Sequence, residues 1–221
     1  MHELLEIFRS LTKNLDQFTI DHGSTTYAIL FAIVFVETGL VIMPFLPGDS
    51  LLFAAGAVAS RGFLNPVLLA FGLIAAAIVG DTLNYQIGKA IGPRVMKGES
   101  SRLFNKKHLE KTRKFFEKYG GKTIILARFV PIVRTFAPFV AGAGAMNYRK
   151  FIVYNIVGAV AWVTLMLGSG WLLGQVPFVK KNFEVIVVAI VFVSVLPMIV
   201  EWLKARSAKP ETSDEKKAEA A

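Results

Sequence analysis

Five charged side chains stand inside apolar stretches of this chain: Glu37 and Asp49 in ETGLVIMPFLPGD, Asp81 in IVGDTLNYQIG, and Arg128 and Arg134 in RFVPIVR. A charge surrounded by hydrocarbon costs about 3 kcal/mol or more unless it finds a partner or water, so such residues mark function more often than architecture. Glu37 and Asp49 flank Pro44 and Pro47, and a hairpin there would bring the two carboxylates together, where they could bind and exchange protons. Each has a plainer alternative. Asp49 follows Pro47-Gly48 and can cap the helix that starts there, while Glu37 could face water. Asp81 has Tyr85 one helical turn on and reads either as counter-charge or as a third proton-coupling acid.

Arg128 and Arg134 carry planar, permanently charged forks that suit phosphate oxygens or carboxylates better than lysine does. Six residues of unbroken helix would leave them about 120° apart, so the break at Pro131 is what could turn both toward one centre. Their alternative role is to form ion pairs with Glu37, Asp49 or Asp81. Pro44, Pro47, Pro131 and Pro138 all remove backbone donors and are the expected hairpin breaks.

Several chemistries lack residues. The three histidines, His2, His22 and His108, lie outside the long apolar segments, and there is no cysteine, so neither a metal centre nor thiolate chemistry is expected. No G-x-x-x-x-G-K-[ST] run exists for nucleotide phosphates, and no serine has a visible base partner. No cofactor is implied, and an enzyme is not the expected reading.

The elements that must position these charges are membrane elements. Of 221 residues 54% are hydrophobic, and Pro66 to Ile91, Phe151 to Leu173 and Phe183 to Leu203 are each long enough to cross a hydrocarbon core of about 30 Å. The first residues include acids and do not read as a signal peptide. The net charge of +9 does not point to nucleic acid, because eighteen of the twenty-five basic residues fall in three places: Lys89 to Lys122, Arg149-Lys150, and the segment after Leu203. That bias puts the central loop and the C-terminus in the cytoplasm.

Residues 1–20 and 105–119 each show apolar residues at three- and four-residue spacing, the pattern of an interfacial amphipathic helix. After each comes a proline-broken segment, Tyr27 to Ser60 or Thr123 to Met146, and then a long apolar helix. The chain therefore reads as an all-α polytopic membrane protein of two inverted repeats. Each repeat would have an amphipathic helix, a re-entrant hairpin and a transmembrane helix, and a C-terminal transmembrane helix would follow. The alternative is that Tyr27 to Met43 spans outright and Ser50 to Ser60 is a buried return. Residues 1–204 form one membrane domain in this reading, and 205–221, rich in Ala, Lys and Glu, a disordered tail.

The strings ETGLVIMPFLPGDSLLFAAGA, GDTLNYQIGK and FFEKYGGKTIILARFVPIVRTFAPFVAGAGAMNYRKFIVYNIVGAVAW resemble the DedA family, which carries the SNARE-associated or VTT domain, over roughly residues 25–175. That resemblance implies that Glu37, Asp49, Arg128 and Arg134 are functionally required. It also implies a lipid translocase of the bacterial inner membrane, moving undecaprenyl phosphate or a phospholipid and dependent on the proton motive force. Lipid and protons are the expected partners, and a homo-oligomer is compatible with the sequence. The rival expectation is a proton-coupled cation or drug antiporter, in which the acids coordinate the cargo and the arginines tune them.

Overall fold

The structure, a computed structural model, describes residues 23–40, 48–96, 106–144, 146–177 and 179. The amphipathic helix expected at 1–20, the breaks at Pro44 and Pro47, the final helix at 183–203 and the tail at 205–221 lie outside the described residues.

Within them the chain forms α1 (Gly23–Gly39), α2 (Gly48–Ala59), α3 (Pro66–Met96), α4 (Lys106–Tyr119), a 3-10 turn (Gly120–Lys122), α5 (Thr123–Ala127), α6 (Pro131–Ala143) and α7 (Tyr148–Gly174). Two apolar stretches, Pro66–Gly92 in α3 and Tyr148–Gly174 in α7, have 27 residues each. At 1.5 Å per residue each reaches about 40 Å, enough to cross a bilayer with some tilt. Their outer faces expose Val67, Phe71, Val153, Leu165 and Leu172. Such a surface suits lipid and not the buried core of a soluble protein. The protein is an all-α, multi-span membrane bundle.

Both long helices start on an asparagine cap. Asn65 Oδ1 accepts the amides of Val67 and Leu68 at 3.0 and 3.1 Å, ahead of Pro66 in the first helical position. Asn147 Oδ1 accepts the Arg149 amide at 2.9 Å. The helices outrun the apolar segments that announce them, α3 past Ile91 to Met96 and α7 from Tyr148 instead of Phe151. Hydropathy marks the part that crosses lipid, whereas caps and backbone hydrogen bonds decide where a helix ends.

The Tyr27 hydroxyl accepts the Asn65 amide at 2.6 Å, and farther along Gly39 lies against Gly80. Thus α1 runs beside α3 in the same direction, and the start of α1, the end of α2 and the start of α3 share one end of the bundle. At the other end Gly92 meets Ala143, Gly121 meets the Tyr154 ring, and the Tyr85 hydroxyl donates to the Met146 carbonyl. The start of α5, the end of α6 and the start of α7 gather there. One apolar core joins Leu30, Val34, Leu52, Leu73 and Trp162; a second surrounds Tyr85, Ile124, Val133 and Phe151.

The broadest interfaces are α2 on α7 and α6 on α3. In each, glycines let backbones touch. Gly56 approaches the Leu167 carbonyl and Gly170 the Phe53 carbonyl; Gly142 approaches the Tyr85 carbonyl and Gly88 the Phe139 carbonyl. A Cβ at any of the four would overlap the facing backbone. The two contacts use the same spacings, Phe53–Gly56 against Leu167–Gly170 and Phe139–Gly142 against Tyr85–Gly88.

The expected amphipathic helix at 105–119 is α4. Thr112 is buried and Phe115 and Phe116 pack inward, while Glu110–Lys114 and Arg113–Glu117 pair along the outer face. It ends at Gly120, whose φ of 57° is the left-handed conformation glycine adopts freely. The second break falls at Arg128–Val130: Val130 is extended (φ −123°, ψ 102°) and Pro131 opens α6 at its first turn. The expectation of a break at Pro138 is corrected. That proline lies inside α6, where it forfeits one amide hydrogen bond without ending the element.

Candidate functional site

All five membrane charges meet where the two broken segments face each other between α3 and α7. Glu37 sits in the last turn of α1 and Asp49 in the first turn of α2, on opposite limbs of the first segment. Asp81 lies midway along α3; Arg128 follows α5, and Arg134 is in the first turn of α6.

Arg134 holds the first segment's two acids at once. Its Nη2 donates to Glu37 Oε1 and its Nη1 to Asp49 Oδ1, both at 2.7 Å. A guanidinium fork can bridge two limbs in this way because its donors are fixed in one plane. The Glu37 carboxylate also lies against Gly48, where any side chain would overlap it. Asp49 lies within the first turn of α2, and its Oδ1 also accepts the Trp162 indole N–H at 2.7 Å.

Arg128 takes a different partner. Its Nη2 donates to Asp81 Oδ2 at 2.5 Å and to Asn155 Oδ1 at 2.6 Å. Asn155 is held in turn by donating to the Ile78 carbonyl at 3.1 Å. Asp81 is therefore the counter-charge of Arg128 and does not join Glu37 and Asp49 on Arg134. Tyr85, one helical turn beyond Asp81 on α3, stacks on Phe151.

Exposure sets Asp49 apart. The side chains of Arg128 and Asp81 are 2% and 5% exposed and those of Arg134 and Glu37 11% and 4%, whereas Asp49 is 45% exposed. Arg128 also has Nε and Nη1 buried with no partner among the described residues. Unfilled donors on a buried guanidinium cost free energy, and they offer an incoming oxygen a ready site. Counted as ionised, three carboxylates face two guanidiniums.

Trp162 ties the halves together. Both guanidiniums lie over its ring, Arg134 at 5.2 Å and Arg128 at 5.8 Å from the centroid, within cation–π range. Its sequence signal is that of an ordinary packing residue, and the Arg128 and Arg134 contacts depend on the fold. Asn84 is another residue the sequence conceals. Its Nδ2 donates to the Thr38 carbonyl at 3.2 Å and the Thr135 carbonyl at 2.9 Å, clamping α1 to α6 through α3. Among the described residues, no three metal-ligating side chains cluster.

Broken helices that bury an ion-pair network between two spanning helices define a polytopic membrane protein organised around intramembrane charge. A model of the VTT domain matches residues 46–172. Protein DedA of Escherichia coli K12 is 48% identical over 207 residues, covering 93% of this chain and 94% of that one. An uncharacterized membrane protein of Mycobacterium tuberculosis H37Rv is 47% identical over 190 residues, 85% of this chain and 83% of its own. Inner membrane protein YghB of Escherichia coli K12 is 34% identical over 176 residues, 79% and 78% of the two chains. The chain belongs to the DedA/VTT family of membrane proteins, and on that membership it is not an enzyme. No solved structure matches it.

Proposed function

We propose that this protein moves a phosphate-bearing lipid, undecaprenyl phosphate or a phospholipid, across the bacterial inner membrane with proton coupling. The observation that carries the reading is Arg134, one guanidinium shared by Glu37 and Asp49 with Asp49 nearly half exposed. A lipid phosphate can replace these internal carboxylates on the same fork, because both are planar-fork acceptors. The released acids then take protons, which keeps the buried charge balanced. Arg128 offers Nε and Nη1 as further donors, and Asp81 holds it in place or relays a proton. Acyl or prenyl chains stay in the bilayer, avoiding about 0.8 kcal/mol for each CH2 brought into water.

In this reading the two broken segments are re-entrant hairpins of inverted repeats. The matched glycine contacts of α2 with α7 and of α6 with α3 support it, as do the shared ends of each hairpin and the following span. The basic bias puts the C-terminus in the cytoplasm. A homo-oligomer fits the same scheme. Residues 1–204 act as one membrane domain and 205–221 as a tail dispensable for transport.

The test is uptake of labelled polyprenyl phosphate and phospholipid into reconstituted vesicles, with and without a proton gradient. Arg134→Ala should abolish flux while insertion persists. Unchanged flux in Arg134→Ala, Glu37→Gln and Asp49→Asn would remove the proposed site. The excess of carboxylates favours one rival, a proton-coupled cation or drug antiporter. That reading requires flux that responds to cations and ignores added anionic lipid.

A further inference from the structure

Away from the central charges, a cavity of about 600 Å³ opens between α4 and the junction of α6 with α7. Its walls are apolar, from Phe116, Val140, Met146 and Tyr154, and among the described lining residues the charged ones are Arg113 and Lys150, with no acid. The volume is that of an ordinary small-ligand site. Its depth is fixed by α7: Lys150 and Tyr154 belong to the first two turns of a helix that crosses the membrane from Tyr148. The cavity therefore lies beside the end of a spanning helix, where headgroups meet hydrocarbon, and it sets two basic residues beside an apolar wall. α4 adds a favourable field, with six Lys or Arg against two Glu over Lys106–Tyr119. Arg113 engages Glu117 through Nε at 3.2 Å, which leaves its two terminal nitrogens for a second acceptor. The pair is well exposed, so it competes weakly.

We propose that this cavity binds an anionic glycerophospholipid of the leaflet in which α4 lies. Its phosphate bridges Arg113 and Lys150, and the first carbons of its chains lie on Phe116, Val140, Met146 and Tyr154. A soluble phosphate would leave that apolar wall wet, and a zwitterionic lipid would set a choline cation against two basic residues. The site stands whether or not the central cluster transports lipid. It borders α6, the helix that carries Arg134, so occupancy braces α4 against the element that positions the central guanidinium.

The test titrates phosphatidylglycerol into the full-length protein in neutral detergent and counts bound lipid by native mass spectrometry. Phosphatidylcholine and glycerol 3-phosphate serve as comparison probes. The wild type should take one phosphatidylglycerol saturably, at least ten-fold more tightly than phosphatidylcholine, and glycerol 3-phosphate should not displace it. Arg113→Gln with Lys150→Gln should weaken binding ten-fold or more. Lys111→Gln with Lys114→Gln, which removes equal charge from residues outside the cavity, should weaken it no more than about three-fold. All four positions are exposed, and unchanged thermal stability would establish that the variants are folded. Equal losses in the two double variants, equal affinity for phosphatidylcholine, or displacement by glycerol 3-phosphate would each overturn the proposal.

Discussion

Asp81 and Asp49 make different kinds of ion pair with their arginines, and a pair of double-mutant cycles should separate them. Arg128 and Asp81 are almost wholly buried, so removing one partner strands the other without water. Asp81→Leu or Arg128→Met alone should each lower stability by about 3–5 kcal/mol. Removing both leaves no stranded charge, and the double variant should cost far less than the two singles combined. A coupling of about 3 kcal/mol, roughly a hundred-fold in the unfolding equilibrium, is expected. Asp49 is half open and can be rehydrated, so the Arg134→Met and Asp49→Leu cycle should show only about 1 kcal/mol. Unfolding the purified protein in mixed micelles with a denaturing detergent, followed by tryptophan fluorescence, measures both. Arg128 and Asp81 effects that add to within about 0.5 kcal/mol, or a stronger coupling in the half-exposed pair, would refute this difference.

Trp162→Phe keeps an aromatic face for the guanidiniums but removes the indole donor to Asp49, so flux in vesicles should fall less than in Trp162→Ala. Gly56→Ala and Gly142→Ala should each destabilise by about 1–3 kcal/mol, because the new methyl meets a facing carbonyl. Gly72→Ala and Gly168→Ala meet open space within helices and should be neutral or gain up to about 1 kcal/mol; thermal unfolding checks all four. Tyr85→Phe should cost about 1 kcal/mol in the same assay, through the lost hydrogen bond to the Met146 carbonyl. In the flux assay Glu37→Gln and Asp49→Asn should flatten the pH profile more than they weaken lipid binding, and an unchanged profile would count against proton coupling.

The central charges are legible in the sequence because hydrocarbon makes an unpaired charge costly. Glu37, Asp49, Asp81, Arg128 and Arg134 stand out from composition alone, and they do meet. Which acid each arginine takes is not legible. Val130 leaves helical geometry between Arg128 and Arg134, and no helix phase carries across an extended residue. Trp162 and Asn84 are hidden for another reason, since neutral side chains inside apolar helices raise no alarm until their partners are known. Among the prolines, local rules foresee the break at Pro131. They do not foresee that surrounding packing lets α6 continue through Pro138.

The crossed pairing of α2 with α7 and α6 with α3 bears on how the protein is made. Asp49 and the Trp162 indole that binds it are 113 residues apart. At about 5–20 residues per second, a ribosome delivers the later one roughly 6–23 seconds after the earlier. Throughout that interval the first broken segment must wait in or beside the translocon without its final neighbour. The α2–α7 contact can therefore close only after α7 is made, later than the α1–α3 and α3–α6 contacts, and a chain truncated before α7 should be an early target for membrane quality control.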